Sequence, residues 1–326
     1  MAGHLARRIG QYLLVLVVLV MLNFLIPRLA PGDPIDFLLP PEVASGVTEE
    51  QRERVMARFG FDDPVHVQFW NYANGVARGD FLTSVRYGRP VTEVVLERLP
   101  WTLLIVLSAV LVSTVVGTVA GFRSAWRRGR ATDVGTLSFV MFLDSLPPFF
   151  VGLLLILVFS VWLGLFPVFG ALPSVPSTGV AFFADVAIRA ALPTATLTIA
   201  ALGFIYLTAR SAMVSELGED YVMVASAKGL PDGAIRRHAQ RNALLPVWTA
   251  AMLNVAVLSG ATTVVETVFA YPGLGRLVYD AVIARDYPVL QGAFFFLALM
   301  VLAANIIADL AYPLLDPRVR RPRPAS

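Results

Sequence analysis

Long apolar runs broken by short charged segments dominate this chain. A helix that crosses the hydrocarbon core of a bilayer needs about 20 mostly apolar residues. Six segments meet that requirement, at about 9–29, 101–122, 134–159, 188–208, 245–269 and 292–314. Proline and glycine near the third and fourth leave their ends the least defined. The pattern predicts an all-α membrane protein of six transmembrane helices. The first run follows Arg7 and Arg8, as a signal peptide would. Its length, and the lack of a small-residue cleavage site after it, read instead as a retained span.

Residues 31–98 are too polar to span a membrane and hold seven Arg against eleven acids. They read as a helical extracytoplasmic insertion between the first two spans. Thr48 with Gln51 makes a capping box for a short helix that Gly60 can end. Asp63 and Pro64 open a second helix, with Asp as cap and Pro in the first turn. Phe69, Trp70 and Tyr72 can anchor that helix against the bilayer surface or the bundle. Val91, Val94 and Val95 fall at helical spacing in a third stretch that leads into the second span. Two roles stay open for the segment: a rigid cap, or a docking surface for a substrate-delivering protein.

Composition supports lipid as solvent. Of 326 residues, 57% are hydrophobic and 15% are charged, against roughly 25% charged in soluble domains. Basic residues cluster just outside the apolar runs, at Arg123, Arg127, Arg128 and Arg130, again at Arg210, Lys228, Arg236, Arg237 and Arg241, and finally at Arg318, Arg320, Arg321 and Arg323. With six spans these clusters share one side with Arg7 and Arg8, and residues 166–187 on the other side carry no Lys or Arg. The asymmetry predicts that both termini are cytoplasmic. Topology thus explains the net charge of +3, and nucleic acid is not implied as a partner. Zero cysteines exclude disulfides, thiolate metal sites and cysteine nucleophiles, and His4, His66 and His238 are too scattered for a metal site. The expected division is a tail and first span over 1–30, a cap over 31–98, a transmembrane core over 99–315 and a cytoplasmic tail over 316–326.

The most informative polar segment lies between the fourth and fifth spans. Asp220 to Leu230 is rich in small residues, which let another helix approach closely. Gly229 can end one helix at positive φ, and Pro231 with Asp232 can start the next. Ile235, Ala239 and Ala243 then recur every fourth residue. The expectation is helix, sharp turn, helix, projecting from the membrane. This segment resembles the cytoplasmic "EAA" coupling loop of ABC-importer permeases. It is most similar to that of the B-type permeases of dipeptide and oligopeptide importers, where it reads D-Y-[VI]-x-x-A-x-A-K-G-L and then H-A-x-R-N-A-[LI]-[LI]-P. Here stand Asp220-Tyr221-Val222, Ala225, Ala227-Lys228-Gly229-Leu230, His238-Ala239, Arg241-Asn242-Ala243 and Leu244-Leu245-Pro246. Met223 and Ser226 depart from a pattern that often carries a basic residue.

The resemblance extends along the chain, through Arg28 to Pro34, Gly79-Asp80-Phe81, Gly88 to Val91, Glu97 to Pro100, Glu266 to Phe269, Pro272 to Arg276, Arg285 to Val289 and Leu315 to Arg318. It implies the type I importer permease fold in the bacterial inner membrane, with a coupling loop over 215–246. It implies as partners a second, homologous C-type permease, two ATP-binding subunits and an extracytoplasmic substrate-binding protein. The residues it assigns to ATPase coupling are Asp220, Tyr221, Ala225, Ala227, Lys228, Gly229, Leu230, Arg237 and Pro246. Lys228 is the single lysine and stands in no Gly-x-x-x-x-Gly-Lys-Ser/Thr loop. The chain is therefore expected to be no enzyme and to bind no cofactor of its own, with ATP and Mg held by partner subunits. The implied substrates are di- and oligopeptides, with nickel, glutathione and oligosaccharides as alternatives in the same branch.

Few polar residues interrupt the spans. Asp144 lies beside Ser145 and just before Pro147-Pro148, which should kink the third span. Intramembrane carboxylates are expensive and usually face a cavity or a partner. Asp144, Ser145 and Pro147 are candidates to line a pathway, and Asp144 can equally meet a partner across a heterodimer. Glu266, near the outer end of the fifth span where water should reach it, is a candidate gate or structural hydrogen bonder. Asn254, Asn305 and Asp309 read as interhelical hydrogen bonders. An intramembrane protease would need paired catalytic groups, and Asp144 and Asp309 lack such a context. An ion-coupled secondary transporter would show inverted repeats of broken helices, and none is legible.

Overall fold

A computed structural model describes residues 2–29, 48, 50, 63–172 and 178–315. Every regular element among them is helical: α1 (Ala2–Leu29), α2 (Val65–Arg78), α3 (Val91–Trp126), α4 (Ala131–Asp144), α5 (Pro148–Leu155), α6 (Val180–Leu217), α7 (Asp220–Ala227), α8 (Asp232–Val268), α9 (Leu274–Ala284) and α10 (Tyr287–Leu315). A π-helical stretch, Ile156–Trp162, continues α5. Helices α3, α6, α8 and α10 are long and apolar enough to cross a membrane. The α4–α5 pair meets the same test as one span bent by 96°. Within α1 the apolar part is Gly10–Leu25. Gln51 of the expected capping box and the helix end at Gly60 lie outside the described residues.

The helices sort into two compact units, one formed by residues within 1–100 and 272–302, the other by residues within 101–271 and 303–326. In the second, α6 and α8 form the most extensive pair, and α4 and α5 lean on α6. Small residues bring α3 onto α6. A Cβ at Gly121 would sit 2.7 Å from the Tyr206 carbonyl oxygen, and one at Gly117 would sit 2.8 Å from the Ile205 side chain. This four-residue glycine spacing permits backbone-to-backbone approach where lipid supplies no hydrophobic drive between helices. Asn254 Nδ2 also donates to the Ala201 carbonyl, 3.5 Å away, an interhelical bond of the kind expected of it.

Two boundaries differ from the sequence expectation. The second helix of the helix–turn–helix segment and the expected fifth span are one helix, α8, which runs through Pro246. A proline inside a helix removes a hydrogen bond and costs about 3 kcal/mol. Here the buried stripe Ile235, Ala239, Ala243, Val247, Ala250 and Ala251 continues across it without a change of phase, and that packing outweighs the lost bond. The fourth span likewise extends beyond 188–208 to the whole of α6, with Pro193 in its interior.

The first unit packs Val91, Val94 and Val95 from the start of α3 against Leu274, Leu277 and Ala281 of α9, with Phe81, Val289 and Ala293 completing the core. Asp286 organises the polar side of this core. It is fully buried and precedes α10, where its carboxylate accepts from the Val289 amide (3.3 Å), the Ser84 hydroxyl (2.5 Å) and the Arg86 amide (3.0 Å). One side chain thus caps a helix and fixes the turn 83–90. Helix α2 starts at Val65, with Pro64 as the flanking residue and no side-chain cap. The expected cap, Asp63, contributes its backbone carbonyl instead, to Gln68 Nε2 at 2.8 Å. Of the expected anchors, Phe69 and Tyr72 meet Phe24 of α1 at ring distances of 5.3 and 5.7 Å, whereas Trp70 is 71% exposed.

Candidate coupling elbow and broken helix

Helix α7 ends in a Schellman turn. Gly229 adopts φ +73°, its amide donates to Ser226 O at 2.9 Å, and the Leu230 amide donates to Ala225 O at 3.2 Å. Pro231 flanks the start of α8, and Asp232 brings a negative charge to the first turn. Two helices therefore meet at a tight elbow. Its fixed side is the stripe Ile235, Ala239 and Ala243, all buried. Its open side carries Asp220, Met223, Val224, Ala227, Lys228, Gly229 and Leu230, together with Arg237 on α8. Ala225 is half-buried and Pro246 exposed. An apolar tip of Met223, Val224 and Leu230 is left without cover.

Tyr221 faces inward rather than out. Its hydroxyl donates to Glu216 Oε2 at 2.7 Å, and Asn242 Nδ2 donates to the same oxygen at 3.1 Å and to the Tyr221 hydroxyl at 3.3 Å. His238 meets the Tyr221 ring edge-on at 5.5 Å. The last turn of α6, the first turn of α7 and the flank of α8 are thereby tied in one knot. Burial, then the bond to Glu216, pushes the Tyr221 hydroxyl up to about 12. Its folded-state value is raised, so its contribution is complete below about pH 10, the unfolded value, and is lost as pH rises through about 12. At neutral pH the hydroxyl always has its proton to donate. Glu216 carries no motif that would have revealed it.

The broken helix is the second feature. Prolines at 147 and 148 give the Asp144 carbonyl no amide donor at either the third or the fourth following residue, and the chain turns by 96° there, as the sequence predicted. Ser145 turns its hydroxyl back to Phe142 O at 2.7 Å. Asp144 and Pro147 are exposed. The Asp144 carboxylate rests on α6 at Gly203, where a Cβ would lie 2.1 Å from Oδ1. Only glycine leaves room for it. Glu266 is set apart, on α8, where its carboxylate accepts from Thr102 of α3 at 2.7 Å. The expectation that water reaches Glu266 is corrected: it is fully buried, because α3 closes over the end of α8.

A third cluster was missed in the sequence. Asp133, buried in the first turn of α4, receives Arg210 Nε at 2.9 Å and Nη2 at 2.8 Å, the Gly129 amide at 3.0 Å and the Ser124 hydroxyl. Ser124 also shares a 2.6 Å hydrogen bond with Tyr206. This bidentate pair joins α4 to α6 beside the glycine contact of α3. The signal was a lone acid directly after an arginine cluster. Among the described residues no group of three His, Asp or Glu side chains is placed to hold a metal ion.

Long apolar helices, one of them broken, with an exposed elbow between two of them, define an all-helical multi-pass membrane protein. Residues 113–321 match the family described as "Binding-protein-dependent transport system inner membrane component", and residues 1–106 match that described as "Binding-prot-dependent transport system membrane comp, N-term". The chain is 35% identical over 322 residues to the oligopeptide transport system permease protein AppB of Bacillus subtilis, covering 98% of this chain and 99% of the relative. It is 34% identical over 339 residues to the di/tripeptide transport system permease protein DppB of Pseudomonas aeruginosa, covering 99% and 100%. It is 34% identical over 321 residues to the glutathione transport system permease protein GsiC of Salmonella choleraesuis, covering 98% and 99%. The chain belongs to the binding-protein-dependent inner-membrane components, the permease subunits of ABC importers.

Proposed function

We propose that this chain forms half of the translocation pathway of an importer for di- and oligopeptides, paired with a second, homologous permease. Two cytoplasmic ATPase subunits hold ATP and Mg, and an extracytoplasmic binding protein delivers the substrate. Six crossings are made by α1, α3, the α4–α5 pair, α6, α8 and α10. That count puts both termini and the elbow in the cytoplasm, in agreement with the arginine asymmetry. Residues 31–98 then form the external cap.

The observation that carries the proposal is the continuity of α8 with the elbow. Residues 215–246 dock on the ATPases through Asp220, Ala225, Ala227, Lys228, Leu230 and Arg237, with Gly229 setting the turn. Tyr221 positions this surface from behind. Helix α8 then runs on without a break for 37 residues, about 55 Å at 1.5 Å each. Closure of the ATPases moves one rigid lever from the docking turn to the far end of the bundle, which switches the side on which the pathway opens. Irregular backbone at membrane depth is tolerated where it lines a water-filled cavity or is buried in protein. Asp144, Ser145 and Pro147 accordingly line the pathway, and Glu266 acts as an internal latch at a gate.

A second reading, glutathione import, is supported by a relative as similar as the dipeptide one. Nickel and oligosaccharides remain alternatives within the branch. The test is uptake by the complete importer in proteoliposomes with ATP inside. Dipeptide uptake that needs both ATP and the binding protein is expected. Uptake of glutathione, nickel or oligosaccharide in its place would refute the substrate assignment, and transport by this chain alone without ATP would refute the subunit assignment.

A further inference from the structure

A groove of about 560 Å³ lies between α3 and α4 at their arginine-rich ends. Its floor is apolar: Val115, Val116 and Val119 are each close to half exposed. Its rim carries Arg123, Arg127 and Thr132. Arg123 stands in the last turn of α3 and Arg127 in the turn just past its end, and both are exposed. Among the described residues neither meets a carboxylate. Asp133, the acid just beyond the rim in sequence, is already taken by Arg210 in a two-pronged bond. Thr132 stands in the first turn of α4, where the helix dipole adds partial positive charge. The result is two guanidinium groups, with no carboxylate partner among the described residues, and a hydroxyl at one end of an apolar trough.

We infer that this groove holds an anionic phospholipid of the cytoplasmic leaflet, its phosphate on Arg123 and Arg127 and an acyl chain along the three valines. The inference rests on the orientation proposed above. Charge complementarity selects the headgroup, since guanidinium groups bind phosphate oxygens in paired hydrogen bonds. The valine floor selects a lipid over a free anion, because bare phosphate would leave that floor uncovered. A lipid here braces α3 against α4 next to Ser124, whose hydroxyl bonds to Asp133.

The test is native mass spectrometry of the complete importer purified from nanodiscs of equal phosphatidylglycerol and phosphatidylcholine. The wild-type complex should retain phosphatidylglycerol in preference. Arg123→Gln with Arg127→Gln should cut that preference about thirty-fold, at about 1 kcal/mol per basic residue. Val119→Trp, which fills the trough and keeps both charges, should displace the lipid as well. Unchanged retention in the Gln variant would overturn the inference. So would loss in the Gln variant with full retention in the Trp variant, which would mark general surface charge, and so would displacement by millimolar inorganic phosphate, which would mark a free-anion site. A protein partner filling the groove would leave no retained lipid in the wild type, and that result would overturn the inference too. None of these readouts needs substrate or ATP, so a failed transport assignment and a failed lipid site are separate results.

Discussion

Gly229 offers the sharpest test of how the elbow works. Its φ of +73° lies in the left-handed region, and a Cβ built on it meets nothing within 4 Å. Inside this chain a side chain at 229 therefore costs backbone strain and no clash. For an ordinary L-residue that strain is about 1–2 kcal/mol, less for Asn, which tolerates this region, and more for a β-branched residue. The turn would be formed about 5 to 30 times less often. Transport rate and binding-protein-stimulated ATP hydrolysis, measured together in proteoliposomes, should fall in the order Gly, Asn, Ala, Val. With Val the ATPase should be uncoupled from transport while the protein still inserts and assembles. Normal transport by Gly229→Val would refute the reasoning. Asn and Val failing equally would show that contact of the side chain with the ATPase, and not φ, controls the site.

Four further outcomes follow from named contacts. Asp286→Ala strands two buried donors, Ser84 and Val289, and the part-buried Arg86 amide and should cost about 2–4 kcal/mol, seen as a lower midpoint in thermal unfolding of the detergent-solubilised protein, with Asp286→Asn losing less. Asp133→Ala leaves Arg210 without its carboxylate and should cost about 3 kcal/mol; adding Arg210→Met should recover part of that, and strict additivity in the double variant would argue against the pair. Gly121→Leu drives a side chain into the α6 backbone and should lower assembly yield sharply, since overpacking a tight contact costs about 1–3 kcal/mol or more. Tyr221→Phe removes the 2.7 Å bond to Glu216, and the half-exposed site limits its cost to about 1 kcal/mol; transport should slow several-fold with insertion unchanged.

Much of this architecture was legible because lipid imposes a simple rule on sequence. The spans α3, α6, α8 and α10, the kink at Pro147-Pro148 and the turn at Gly229 each follow from run length, a missing donor or a positive φ, all local properties. Three features were not local. The fusion of elbow and span in α8 depended on whether packing of Val247 and Ala250 outweighs Pro246. The inward face of Tyr221 depended on Glu216 and Asn242, 26 residues apart in sequence. The burial of Glu266 depended on Thr102, 164 positions away.

The sequence by itself therefore determined the class of protein, the apolar helices and the place of the turn at Gly229, because hydrophobic length and backbone preference act within one segment. Only the tertiary structure decided which polar side chains stay exposed and which are taken inside. Asp144 stays exposed because Gly203 seats it at the surface of α6. Glu266, Asp133 and Asp286 are taken inside because donors from distant segments repay their desolvation, and no local pattern encodes where those donors will be.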